Sequence, residues 1–250
     1  MLIRKLTAAA LGVLLGAGLL LQPDVAWAAK STAYYTTQKI DDHKKGDFAV
    51  LADDDVNFRA GPSSEAAILA CLPRHSLFRI DGSKRGDWQK VEWNDKTGYI
   101  FADYLATPAA EALLPEDNCL GDWQLGQKFD GDAAASLGKA QKVTKDGGQQ
   151  IYTFQQLQIT VKRRSKQIEE LTTADAAVYT MRGIGAGDNG ARIVGQYGLP
   201  ARVVYLQADD DGAAMLYGYD FDQDSKIGKR LDFYLNRDGD VSRIVLSNDD

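Results

Sequence analysis

Between residues 49 and 105 the chain never sustains a helical period. Apolar residues recur there in short alternating runs, each closed by turn residues. The runs predict strands at 49–51, 67–72, 77–81, 88–93 and 96–101. Connections such as Gly82-Ser83-Lys84-Arg85-Gly86 and Asn94-Asp95 suit hairpins. Strands this short, packed into under sixty residues, bury their apolar sides by closing on themselves, so a small β-barrel is expected. Phe58, Phe78 and Trp88 are expected to alternate inward and fill it. Trp93, Tyr99 and Tyr104 fall near strand ends or edges and are placed to line a shallow groove, with Asn57 and Arg59 behind them. Asn57 has a second reading, in which it joins Gly61 and Pro62 as a former of turn and loop.

The chain that precedes this unit has a different texture. Arg4 and Lys5 lead into an apolar run of 14 residues, 8–21, which Pro23 breaks, and Ala26-Trp27-Ala28 follows with small residues flanking Trp27. A bilayer span needs about 20 residues, so residues 1–28 read as a signal peptide rather than an anchor. The expected location is secreted or periplasmic, within the cell envelope, with no membrane span left after cleavage. Residues 29–48 are polar and without period, and are expected to form a flexible leader. The formal net charge of −6 grows more acidic on cleavage, since Arg4 and Lys5 leave with only Asp24. Such a chain gains little from phosphate backbones, which argues against nucleic acid as a partner. The two cysteines, Cys71 and Cys119, form an even pair in an exported chain, so they are either bridged as a disulfide or left as two free thiols.

Within 49–105 three segments carry a resemblance. Asn57-Phe58-Arg59-Ala60-Gly61-Pro62-Ser63 comes first, then Gly86-Asp87-Trp88-Gln89-Lys90-Val91, then Thr97-Gly98-Tyr99-Ile100 with Asp103-Tyr104-Leu105. Their order and spacing resemble the bacterial SH3 (SH3b) family. Val56 stands where that family usually has Leu, Tyr99 replaces its late Trp, and Asp87 is an extra residue between Gly86 and Trp88. The resemblance implies a barrel that binds and does not catalyse, attaching the protein to cell-wall peptidoglycan, a peptide or an envelope protein.

Residues 106–122 hold two prolines and an alanine-rich stretch and read as a linker, which Cys119 would pin to the barrel if it were bonded to Cys71. From 123 to 248 the chain repeats itself in copies over 123–182 and 183–248. Each copy starts with a helix, at 130–137 and 188–197, and continues as strands. The strands are expected at 150–154, 157–161 and 167–171, then at 213–221, 229–235 and 241–246. Asp211-Gly212 and Asp238-Gly239 supply hairpin turns. Two copies of helix and meander predict an antiparallel sheet with helices on one face, an α+β unit. The whole chain is thus expected to be mainly β. The rhythm from Tyr197-Gly198-Leu199-Pro200 to Asp238-Gly239-Asp240-Val241 resembles the tandem-repeat fold of the beta-lactamase inhibitor protein and of small outer-membrane assembly lipoproteins. An envelope inhibitor or assembly factor acting through this unit is the alternative function that this resemblance implies.

Few residues suggest chemistry. Asp220, Asp222 and Asp224 begin like a calcium loop, but Ser225 and Leu231 stand where the sharp turn and the bidentate carboxylate belong, so an acidic hairpin loop is the reading. Gly183-Ile184-Gly185-Ala186-Gly187 lacks the strand and acidic residue of a dinucleotide site and reads as entry to the second helix. Lys162-Arg163-Arg164-Ser165-Lys166 is a basic run in an acidic protein, either a solvated hairpin tip or a contact for an anionic polymer or head group. His43 and His75 have no nucleophile or carboxylate partner at a telling spacing. No catalytic residue, metal ligand or cofactor is expected, and a non-enzymatic binding protein is.

Overall fold

The structure, a computed structural model, describes residues 35–39, 44–109, 113–129, 136–206, 212–221 and 228–249. The signal-peptide reading of 1–28 lies outside these residues, as do His43 and most of the acidic loop after Asp220.

The first unit is built from β1 (Tyr35–Lys39), β2 (Phe48–Leu51), β3 (Val56–Arg59), β4 (Ile68–Leu72), β5 (Leu77–Ile80), β6 (Trp88–Trp93), β7 (Lys96–Phe101) and β8 (Leu105–Pro108). They form one sheet in the order β1-β8-β2-β5-β6-β7-β3-β4. Its interior holds Leu51, Val56, Phe58, Phe78, Ile80, Val91, Ile100 and Leu105. Alternation places them: along β3, Val56 and Phe58 are buried while Asn57 and Arg59 are half-exposed. The β6–β7 turn runs through Asn94 (φ 45°) and Asp95 (φ 60°), both left-handed, which matches the twist of the strands they join. Gly98 is required by close approach, because a Cβ there would meet the Phe58 ring and lie 2.6 Å from the Arg59 carbonyl oxygen.

Three expectations are corrected here. Asn57 lies within β3, opposite Cys71, rather than in a turn; the inward pair Val56 and Phe58 outweighs the local turn preference of Asn. The leader is not wholly unstructured, since residues 35–39 pair as β1 with β8. The segment 106–122 is more than a linker. It completes β8, carries a 3₁₀ turn at Pro115–Asp117, and supplies β9 (Cys119–Leu120), which pairs with β10 (Trp123–Gln124). Leu113 and Leu120 from this segment are buried in the second unit's core.

The second unit holds two four-stranded meanders. The first is β11 (Lys142–Asp146), β12 (Gln149–Thr153), β13 (Gln158–Lys162) and β14 (Ile168–Thr173). The second is β15 (Arg202–Tyr205), β16 (Met215–Asp220), β17 (Gly228–Leu235) and β18 (Val241–Asp249). Pairing of β14 with β18 fuses them into a single antiparallel sheet in the order β11-β12-β13-β14-β18-β17-β16-β15. Helix α1 (Gly190–Tyr197) precedes the second meander, and the Asn189 side chain caps it by accepting from the Ala191 amide at 2.9 Å. Tyr197 at its C-terminal end stacks on Tyr219 and Phe233 of the sheet, with centroids 5.3 and 5.5 Å away. The helix expected over 130–137 falls largely outside the described residues.

The two units share a core. Val50, Leu77 and Ala106 point out of the barrel and are buried among the apolar residues of the second unit. β2 is consequently buried on both faces. His75 lies against Gly195 of α1, the Leu199 amide donates to the Ala109 carbonyl at 2.8 Å, and the Asn94 side chain reaches the Arg237 carbonyl at 3.4 Å.

Candidate functional site

The outward side of β3 faces a concavity of about 800 Å³ on the barrel. Asn57 and Arg59 line one side of it, because β3 turns Val56 and Phe58 inward and leaves these two on the other face. Arg59 holds the neighbouring loop by donating to the Ala66 carbonyl at 2.8 Å, which brings Pro62, Ser63 and Ser64 to the rim. Opposite stand Trp88, Phe101 and Tyr104. Trp88 and Phe101 are direct cross-strand partners on β6 and β7, with rings edge-on at 5.6 Å and 81°. Phe101 meets Tyr104 at 5.8 Å, and Tyr104 is 40% exposed. The three rings form a continuous aromatic wall.

The third side is acidic. Asp53, Asp54 and Asp55 come from the β2–β3 connection. Arg74 organises them: its amide donates to Asp54 Oδ1 at 2.9 Å, and its guanidinium lies 3.4 Å from Asp53 and 3.6 Å from Asp54. Asp55 (φ 56°) forms no ion pair among the described residues. An aromatic wall beside three carboxylates suits an extended ligand that carries an amine or guanidine.

Of the groove residues expected from sequence, the structure brings Asn57, Arg59 and Tyr104 together. Trp93 lies elsewhere: it packs against the barrel core with its ring 6.2 Å from Phe58, and Lys96 Nζ sits 5.9 Å from its outer face. Tyr99 is buried, with Arg85 6.0 Å from its ring. Trp88, expected inside, is in the groove instead. The cause is Gln89, a polar residue in an inward position, where its side chain donates to the Gly82 and Lys90 carbonyls. With Gln89, Val91 and Trp93 on one side of β6, Trp88 must face out. Phe101 and the Asp53–Asp55 rim were missed altogether. The cross-strand register that makes Phe101 the partner of Trp88 was the signal for it.

Of the two readings of the cysteine pair, the structure has the free thiols and no disulfide. Both cysteines are free, Cys71 exposed on β4 and Cys119 half-buried with its thiol donating to the Glu116 carbonyl at 3.1 Å. Burial, aided by the Asp117 carboxylate, raises the Cys119 pKa. Among the described residues no cluster of His, Cys, Asp and Glu could hold a metal, and no helix is long and apolar enough to cross a membrane.

Comparison with known proteins bears on the barrel. Residues 54–106 match the bacterial SH3 domain family. No curated protein sequence matches the chain. Among solved structures it is similar to a DUF4309 family protein (YjgB) from Bacillus subtilis subsp. subtilis str. 168, at 17% identity over 51% of this chain and 83% of that one, with a TM-score of 0.34. It is also similar to the C-terminal domain of TagH, at 11% identity over 82% of this chain and 98% of that one, with a TM-score of 0.23. Likeness of that degree assigns no function.

Proposed function

We propose that this is a non-enzymatic binding protein of the cell envelope, which attaches to peptidoglycan through the aromatic and acidic groove of its bacterial SH3 barrel. One observation carries the reading. All twelve groove-lining residues belong to the barrel, so among the described residues the second unit does not fill the groove. The interface between the units draws on other barrel residues, among them Val50 of β2, Leu77 of β5 and Ala106 of β8. The ligand is the peptide portion of the wall polymer, whose backbone lies along Trp88, Phe101 and Tyr104 while a side-chain amine meets Asp55.

The test is sedimentation of the purified full chain with insoluble peptidoglycan at low salt. The expected result is retention that falls roughly tenfold for Trp88→Ala, in line with about 1–1.5 kcal/mol for one aromatic contact. Absence of retention by the unaltered chain at low salt refutes wall binding.

A further inference from the structure

A second concavity, of about 900 Å³, lies in the first meander. Because β12 pairs with β13, the β11–β12 turn at Gly147-Gly148 and the β13–β14 turn at 163–167 stand side by side at one end of the sheet, with Gln149 opposite Lys162. The tips are tied together: the Arg163 amide donates to the Gly148 carbonyl at 2.8 Å and its guanidinium to the Gly147 carbonyl at 3.2 Å. The cleft between them is lined by Lys145, Lys162, Arg163, Arg164 and Lys166, and by no carboxylate. Two acids adjoin it outside that lining: Asp146, exposed at the end of β11 opposite Gln149, and Glu169, which is buried and engaged by Lys162 at 2.7 Å and Gln149 at 3.2 Å. Lys145, Arg164 and Lys166 form no ion pair among the described residues, although the protein as a whole carries a net charge of −6. A Cβ at Gly147 or Gly148 would meet nothing within 4 Å, so backbone is open to a ligand at the cleft floor.

Cations gathered against the overall charge, on tips fixed by backbone bonds, concentrate positive potential in a concave surface. The lining has no aromatic or aliphatic side chain to enter a bilayer or stack on a base. We propose that this cleft binds a linear phosphate polymer, engaging successive phosphates of one chain through its five cations. The site is separate from the barrel groove and does not depend on what that groove binds.

The probe is inorganic polyphosphate, titrated against the full chain at several salt concentrations. With three to five phosphates neutralised at about 0.7 each, log K should fall against log salt with a slope of about −2 to −3.5. Arg164→Ala combined with Lys166→Asn should weaken binding on the order of tenfold and flatten the slope by about 1–1.5. Asn is chosen because position 166 has a positive φ of 60°, which Asn tolerates. Both side chains are exposed, and an unchanged thermal midpoint separates lost binding from lost folding. Trp88→Ala should leave polyphosphate binding intact. No binding, equal binding by the double variant, or tighter binding to phosphatidylglycerol vesicles than to polyphosphate at equal phosphate overturns the proposal, the last in favour of a membrane surface.

Discussion

Asp117 sits in the segment that reads as a linker, yet its side chain is only 2% exposed. It meets Arg182, 8% exposed, in a two-pronged pair: Nε donates to Oδ1 at 2.9 Å and Nη2 to Oδ2 at 2.6 Å. The carboxylate also accepts from the Leu114 amide at 2.7 Å, which fixes the 3₁₀ turn. Arg182 in turn donates to the Gln196 carbonyl at 2.9 Å and lies 4.5 Å from the Tyr197 ring centroid. The Asp117→Ala variant would leave a guanidinium buried without its counter-charge, an effect of about 3–5 kcal/mol. The Gln196 carbonyl and the Tyr197 ring keep the cation partly satisfied, which points to the lower end. The lost Leu114 bond adds about 1 kcal/mol, so the total is about 4 kcal/mol. Urea unfolding of the full chain, followed by far-ultraviolet circular dichroism, reads this loss. With a slope of about 2–3 kcal/mol per molar urea, the midpoint should drop by roughly 1.5 M. Asp117→Leu combined with Arg182→Met removes both charges and should recover about half of that loss or more. A midpoint within about 0.3 M of the unaltered protein for Asp117→Ala refutes the reasoning.

Three further outcomes follow from the same geometry. Trp93→Ala should cost about 3 kcal/mol of stability, because its ring packs on Phe58 in the barrel core, whereas Trp88→Ala should cost under about half of that; equal thermal losses would contradict the assignment of inward and outward faces. Thiol titration of the native protein should find two reactive groups, Cys71 fast and Cys119 slow, since the burial that raises the Cys119 pKa keeps it protonated; a count of zero would restore the disulfide. His75, pressed against α1, has its pKa lowered from 6.5 to about 4 by burial, with Arg74 adding to the effect and Asp54 opposing it. The folded state then binds fewer protons than the unfolded one between those values, so stability is whole above pH 6.5 and falls as pH drops toward about 4. After discount for the half-exposed ring the loss is about 1–2 kcal/mol. His75→Gln should remove that part of the acid sensitivity, and identical pH profiles for the two proteins would count against it.

Elements with a clean alternation were legible. The strands expected at 88–93 and 96–101 coincide with β6 and β7, and Asn94-Asp95 forms the turn between them. Edge strands were not. All five residues of β11 are exposed, so its sequence has no apolar side to betray it, and β12 alone makes it a strand. β3 was hidden by the turn-forming Asn57 and by Gly61-Pro62 just beyond its end. The groove was half legible. Asn57, Arg59 and Tyr104 were singled out, but one inward glutamine reversed the reading of β6 and exchanged Trp88 for Trp93. Pattern reasoning assumes that the apolar residue of a pair faces in. Gln89 defeats it because two backbone carbonyls satisfy its amide inside the barrel. The cysteine pair was left open by the sequence for another reason: an even count says nothing about geometry, and Cys71 is exposed on β4.

The placement of the groove also decides what the binding unit is. A barrel recognised over residues 54–106 suggests a detachable module, but three apolar residues contradict that. Val50, Leu77 and Ala106 are at most 6% exposed only because the second unit covers them. Separation would return them to water at about 25 cal/mol per Å² of apolar surface. It would also free the His75 contact with Gly195 and the Leu199–Ala109 hydrogen bond. The groove, with Trp88, Phe101, Tyr104 and the acidic rim, is lined by barrel residues alone. A barrel packed against the second unit through Val50, Leu77 and Ala106 keeps a groove that the second unit does not line. The barrel therefore shares its apolar core with the second unit rather than hanging from it as a module on a tether.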